Sequence, residues 1–324
     1  MASRKDVAAL AKVSQASVSY YINKSGYVSA EAAERIQKAI DTLGYRPNQI
    51  ARSLRCNKSK RFVFLCNEIR NPFFSQMVHQ ATQEAIKKGY VILFSTVVDD
   101  SAYIEKIFGY QISGVFASNN RLDEKPINNL ASQGVPVVIL RDIEWKQLNP
   151  NITLIKVNYQ RILKTIINHL EENGFRRYFY FSSSRNPSSA DEKTLKFLEA
   201  TEGKTQTVFY QISDPQRGFE QVINIKKEIR VDDAFICAND AVAFGVRKAL
   251  DTLEYFVPND VAVVGFDNTI NSKYTIPGIT TVDIEADKIG AIAISLLIKK
   301  MQGVKVDDYI IEPKLIIRNS SNRV

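Results

Sequence analysis

The chain has 324 residues, 45% of them hydrophobic, with 43 Lys and Arg against 35 Asp and Glu. That length exceeds one ordinary core and implies two or three domains. No apolar run approaches the ~20 residues that span a bilayer, and the start MASRKDVAAL lacks the apolar centre of a signal peptide, so no membrane partner and a cytoplasmic location are expected.

Three cysteines (Cys56, Cys66 and Cys237) without a CxxC pair point to reduced thiols. Two distant histidines, His79 and His169, exclude the usual zinc arrangements, and no cofactor is expected. The stretch Asp6 to Asn23 reads as two short helices with a turn between them. Val7, Ala8, Leu10 and Ala11 give the first an apolar stripe. Lys12, Val13 and Ser14 interrupt it, and Ser14 can cap the second helix. There Val18 and Ile22 face inward, and Gln15, Ala16, Ser17, Ser19, Tyr20 and Asn23 face largely outward. Small and amide-bearing exposed side chains suit a helix that enters a major groove. An ordinary three-helix packing unit would show the same bare pattern.

Residues 29–43 make a third helix. Ser29 caps it, Ala32, Ala33, Ile36, Ile40 and Leu43 form its stripe, and Gly44 stops it. Asn48 to Arg55 is a brief helical candidate followed by a basic linker, too short to hold a helix alone and expected to fold on a partner. Leu54 is apolar on that basic segment. It either packs on the head module or acts as a wedge in a DNA minor groove. Residues 1–60 carry eleven Lys and Arg against four Asp and Glu, a net +7, whereas the rest carries 32 against 31. Positive charge concentrated in this way is the footprint of a phosphate-binding module.

From residue 62 strand-like runs alternate with helical patterns. The predicted strands are Phe62–Cys66, Val91–Ser95, Val115–Ala117, Val135–Leu140, Tyr178–Phe181, Thr207–Tyr210, Ala234–Ala238 and Val261–Phe266. The predicted helices are Ser75–Lys88, Ala102–Tyr110, Ile127–Ser132, Gln160–Glu172, Glu192–Ala200, Ala241–Leu253 and Lys288–Met301. Such alternation gives α/β structure with parallel sheets covered on both faces, and there are enough strands for two sheets facing a cleft.

This order of parts resembles the LacI/GalR-type bacterial transcriptional regulators over essentially the whole chain. The markers are DVAALAKVSQASVS at Asp6–Ser19, GYRPN at Gly44–Asn48, ARSL at Ala51–Leu54, NPFF at Asn71–Phe74, AND at Ala238–Asp240, VGFDN at Val264–Asn268 and IPGITTV at Ile276–Val282. The resemblance implies a helix-turn-helix headpiece at 1–46, a hinge helix and linker at 47–60, and a periplasmic-binding-protein-like core at 61–324. Subdomain one of that core would be about 61–157 with 286–324, and subdomain two about 158–285, joined by three crossings. It also implies a homodimer on a pseudo-palindromic double-stranded operator, on the nucleoid, most often as a repressor of a carbohydrate operon. A small sugar-like effector would sit in the cleft and control DNA binding.

Position by position, the resemblance places Ser14, Gln15, Ala16, Ser17, Ser19, Tyr20 and Asn23 at base and phosphate contacts. Ser3, Tyr27 and Asn48 fall at phosphate-contacting positions, Arg52 is a further DNA-binding position, and Leu54 lies at the operator centre. Tyr20 stands where Arg or His is common, which removes a bidentate guanine contact. Lys12 replaces a common turn glycine, a strained choice if φ is positive there. In the cleft the resemblance points to Phe73 or Phe74 for stacking and to Asp267 for effector hydroxyls, with Asn239 an effector-binding candidate near the same crevice. Asn239 and Asp240 could equally be helix-capping residues.

Lys193 replaces a common Arg. Arg141, with Asp142 beside it, follows a strand where Asp is usual, and Arg70 precedes NPFF. These cations suggest a phosphorylated or acidic effector, unless Arg70 and Arg141 face solvent or pair with Asp142. An enzyme is the rival reading, but no Walker loop, G-x-S-x-G, GxGxxG or His/Cys/Asp constellation is present, and Ser182–Ser184 has no base nearby in sequence. A solute-binding protein is the other rival, against which the basic headpiece argues. The C-terminal residues carry no leucine heptads, so a coiled-coil tetramer is not expected.

Overall fold

A computed structural model describes residues 2–46, 59–66, 68–96, 100–118, 124–141 and 148–323. Their contacts divide the chain into two units, Met1–Ser59 and Lys60–Val324.

In the first unit, α1 (Arg4–Ala11), α2 (Gln15–Asn23) and α3 (Ala30–Leu43) each start at a serine cap. Ser3 and Asp6 close a reciprocal capping box, Ser14 Oγ accepts from the Ser17 amide at 3.0 Å, and Ser29 Oγ accepts from that of Ala32 at 3.3 Å. Val7, Ala8, Ala11, Val18, Ile36, Ala39 and Tyr45 form the buried centre. The predicted stripes need correction here. Leu10 is 51% exposed, because Val7, Ala8 and Ala11 already fill the inward arc of α1. On α3 it is Ile36 and Ala39 that are fully buried, while Ala32, Ala33, Ile40 and Leu43 are half-buried. Lys12 adopts a φ of 53°, the left-handed value that a glycine would take without strain.

The second unit is built on two parallel sheets. The first takes β1 (Arg61–Cys66), β2 (Val91–Ser95), β3 (Gly114–Ser118), β4 (Val137–Leu140), β5 (Ile152–Val157) and β11 (Tyr309–Ile311), in the order β11-β5-β4-β3-β1-β2. The helices of this lobe are α4 (Pro72–Lys87), α5 (Ser101–Phe108), α6 (Glu124–Ser132) and α12 (Ala286–Met301), with α12 packed along α4. The second sheet takes β6 (Arg177–Phe181), β7 (Thr205–Phe209), β8 (Asp233–Cys237) and β9 (Ala262–Val264), in the order β7-β6-β8-β9. Its helices are α7 (Tyr159–Glu172), α8 (Glu192–Ala200), α9 (Pro215–Asn224), α10 (Asp240–Thr252) and the short α11 (Ile270–Tyr274). An antiparallel pair, β10 (Thr281–Asp283) and β12 (Lys314–Ile316), completes this lobe.

The central strands β1, β3 and β8 are buried nearly end to end, as parallel strands covered on both faces must be. Cys66 and Cys237 are buried free thiols inside β1 and β8, and burial pushes Cys66 up to about 11, so both are core residues. Six elements escape the sequence pattern: β5, β10, β11, β12, α9 and α11. β5 lies in a run whose apolar residues are interrupted by Thr153 and Lys156, and α9 contains Gly218 and few apolar residues.

The end of the chain also departs from the expected boundary. β11 joins the first sheet beside β5, but residues 314–323 return to the second lobe. Ser320 Oγ donates to the Val263 carbonyl at 2.6 Å and accepts from the Thr280 amide at 2.8 Å, and Arg318 Nη2 donates to Asn268 Oδ1 at 2.7 Å. Polar groups buried beside β9 and β10 need partners, and this segment supplies them.

Candidate functional site

On the headpiece, Gln15 and Ala16 are exposed at the start of α2, and Ser17, Ser19 and Asn23 are half-buried on the same helix. Asn23 Nδ2 donates to Ser19 Oγ at 3.1 Å, which fixes the amide toward its own helix. Tyr20 is 46% exposed, and Tyr27 stands almost free of the protein in the loop before α3. The hydroxyls of Ser3 and Ser14 are already engaged in capping, so either would contact DNA chiefly by presenting a helix N-terminus. Lys24 closes α2 in a left-handed conformation and is exposed, as Lys12 is after α1. The positions Asn48, Arg52 and Leu54 lie outside the described residues.

In the core, both sheets place their topological switch points at the candidate cleft. The first sheet reverses between β1 and β3, and the second between β6 and β8. Ligands collect beyond the carboxyl ends of strands at such points. From β1 the chain runs into Asn71, whose side chain caps α4 by accepting from the Phe73 amide at 3.0 Å. Phe73 is buried in the core and Phe74 is half-buried, with ring centroids 5.0 Å apart in an edge-to-face arrangement. Phe74 is therefore the more accessible of the two.

In the second lobe, Lys193 is the centre of a cluster. Its ammonium donates to the Ala238 carbonyl at 2.7 Å and lies 4.3 Å from the Phe266 ring centroid and 5.6 Å from that of Tyr159. Asp267 is next to it, with a φ of 98° that is rare outside glycine and is held by its amide donating to the Val282 carbonyl at 2.9 Å. Burial is the main influence on the Asp267 carboxyl. With Asp240 it outweighs the opposing pull of Lys193 and a hydrogen bond with Asn71, and carries the group up to about 7. Burial likewise drives the Tyr159 phenol well above its ordinary range, helped by Asp191 and Asp267. Arg141 is lowered by burial while Asp191 favours its charge. Lys193, Asp267, Arg141 and the α4 cap thus share one neighbourhood, which also takes in Tyr159, Phe266 and Asp191. The sequence reading had not singled out these last three. Phe266 lay within the VGFDN run and could have been found there, whereas Tyr159 and Asp191 carried no distinguishing signal.

Two expected positions behave differently. Arg70 is 87% exposed and forks onto Glu68, with Nε donating to Oε1 at 2.9 Å and Nη2 to Oε2 at 2.7 Å. Its charge is matched locally, and Asp214 of the second lobe favours it further. Asn239 caps α10, its Oδ1 accepting from the Val242 amide at 2.8 Å. Its neighbour Asp240 is fully buried and accepts from the Thr269 amide, the Thr269 hydroxyl and the Thr281 hydroxyl at 2.7, 2.9 and 2.5 Å. Burial moves its carboxyl up to about 6 against those bonds. Asp142 lies outside the described residues. The serine-rich stretch is structural: Ser182 and Ser184 are buried, and both hydrogen-bond to Thr194 Oγ1, at 2.7 and 3.4 Å.

Comparisons with known proteins agree with this division. Residues 4–48 match the family model described as bacterial regulatory proteins, lacI family, and residues 167–321 match that of the periplasmic binding protein-like domain. An HTH-type transcriptional repressor PurR from Mannheimia succiniciproducens is 27% identical, covering 100% of both chains. A ribose operon repressor from Halalkalibacterium halodurans is 29% identical over 99% of this chain and 97% of its own length. Among solved structures, a lac repressor dimer bound to operator and the anti-inducer ONPF superposes with a TM-score of 0.84 at 23% identity, covering 99% of both chains, which establishes the shared fold.

Proposed function

We propose that the chain, whose residues 4–48 match the lacI family of bacterial regulatory proteins, is an operator-binding repressor of that family whose hold on DNA is set by a neutral, polyhydroxyl effector in the cleft. The effector reading rests on one observation, the charge balance of the cleft. Arg70 is matched by Glu68, the charge of Arg141 is favoured by Asp191, and Lys193 is bound to the Ala238 carbonyl with Asp267 beside it. An anionic ligand would have to compete with Glu68 for Arg70, with the nearby charge of Asp191 for Arg141, and with the Ala238 carbonyl and Asp267 for Lys193, whereas hydroxyl groups can bridge both signs. Phe74, Tyr159 and Phe266 supply apolar faces for the rings of such a molecule. The ribose operon repressor among the relatives is consistent with this class.

The two lobes are joined at three places: after β5, between β10 and α12, and between β11 and β12. An effector that touches both lobes favours one lobe angle over others. If operator favours a different angle, the two ligands are linked reciprocally through that equilibrium. A homodimer is needed to read two half-sites. The edge strand β2 exposes Val91, Leu93 and Phe94, and the second lobe exposes Tyr274 and Ile276; apolar surface of this kind suits pairing with a second copy. Asn48, Arg52 and Leu54 are proposed as the hinge contacts. The proposed site of action is the bacterial cytoplasm, on the nucleoid.

Two measurements test this. DNA affinity should fall linearly on a log–log plot against salt as phosphate contacts release counterions, while effector affinity stays nearly flat. A salt-independent retention of DNA would count against the headpiece reading. Calorimetry with neutral sugars and their phosphates should show binding by neutral members; binding by phosphates alone would overturn the charge-balance argument.

A further inference from the structure

Tyr20 and Gly26 meet across the loop that follows α2. The loop turns back at Lys24, and the Ser25 amide donates to the Tyr20 carbonyl at 3.3 Å. A Cβ placed on Gly26 would stand 2.9 Å from Tyr20 Cγ, 3.0 Å from Cδ1 and 3.2 Å from Cδ2. Near-equal distances to these three atoms put it over the face of the ring, at the end attached to the backbone. That end cannot swing away without a change of rotamer. Gly26 is not among the glycines with positive φ, so its backbone does not call for glycine; the ring does. A cavity of about 520 Å³ opens beside the contact, lined by Tyr20, Tyr21, Lys24, Gly26 and Val28 among others. A ring pushed off Gly26 therefore has space to move into, and the headpiece need not unfold.

We propose that Gly26 is a specificity-setting positioning residue. It lets the Tyr20 ring lie back over the loop, so that α2 offers the C–H edge of that ring to the groove. Such an edge makes its best major-groove contact with the C5 methyl of thymine. The inference rests on α2 being the DNA-reading helix of the proposed function, and it adds which base is selected and which residue sets the geometry.

The test is selection of operators from random duplexes by the full-length protein, its Gly26→Ala and Tyr20→Ala variants and the double variant. The wild type should demand thymine at one symmetry-related position in each half-site. Deoxyuridine there, which lacks the methyl, should weaken wild-type binding about fourfold per half-site, the worth of one buried methyl, and leave Tyr20→Ala unaffected. Gly26→Ala should relax the preference at that base pair alone and should add nothing in the Tyr20→Ala background. A uniform loss of affinity with an unchanged base profile would overturn the proposal, as would an effect of Gly26→Ala that persists without Tyr20 or indifference of the wild type to the methyl. Failure of the wild type to select any duplex would remove the DNA reading itself, a distinct result.

Discussion

In the headpiece the exposed groups proposed to meet DNA, Gln15, Ala16 and Tyr20, sit on one nine-residue helix. The cleft instead draws Asn71, Arg141, Tyr159, Lys193 and Asp267 from segments that are far apart in the chain. The headpiece keeps these groups exposed and lets serine caps hold the helix ends. The cleft keeps Arg141, Lys193 and Asp267 half-buried and balances each against a carbonyl, a ring or an opposite charge. A surface that must meet a polyanion can leave its cations in water, where they cost little. A pocket that must strip a small molecule of water has to satisfy its own charges first.

The largest expected effect falls on the frame that holds the second lobe's switch point. A Cβ on Gly245 in α10 would come within 1.9 Å of the Pro215 carbonyl oxygen at the start of α9. Gly245→Ala should therefore destabilise the core by about 3 kcal/mol in urea unfolding, through overpacking against backbone. A loss below ~1 kcal/mol would mean that these two helices separate easily. Next comes Asp267→Ala, expected to weaken effector binding about 30-fold while leaving DNA affinity without effector unchanged. Equal loss of both would place Asp267 in the fold and outside the ligand site.

The same residue predicts a pH dependence. Its folded value, about 7, lies above the ordinary 3.8, so its contribution to stability is fully present below 3.8 and is lost as pH rises through about 7. Asp240, raised to about 6, acts in the same direction. In the proposed site effector hydroxyls donate to the ionised carboxylate, so effector affinity should rise as pH passes from 6 to 8, and Asp267→Asn should flatten that profile. A flat wild-type profile would show that hydroxyl donation to Asp267 does not drive binding.

Smaller effects belong to the headpiece. Ser29→Ala removes the α3 cap and should lower headpiece stability by about 1 kcal/mol in thermal melts. Lys12→Gly should raise it by about 0.5–1 kcal/mol, since Lys12 holds a left-handed φ of 53°. If the lysine were the more stable choice, an interaction of its side chain would have to outweigh that strain.

The sequence by itself determined the headpiece and most of the frame. Caps at Ser14 and Ser29, the stop at Gly44 and continuous apolar strands are local signals, read within a few residues, and they carry the helix-turn-helix and two parallel sheets. β5 escaped because Thr153 and Lys156 interrupt its apolar run, and the return of residues 314–323 to the second lobe escaped because it depends on where buried polar groups need partners. The cleft was legible one residue at a time, at Phe74, Arg141, Lys193 and Asp267. Only the tertiary structure decided that Arg70 is matched by Glu68, that Asn239 is a cap, and that Tyr159, Phe266 and Asp191 complete the cluster. The physical reason is range. Caps and periodicity act along the chain, whereas charge balance in a buried site is fixed by neighbours that the chain brings together only once both sheets have formed.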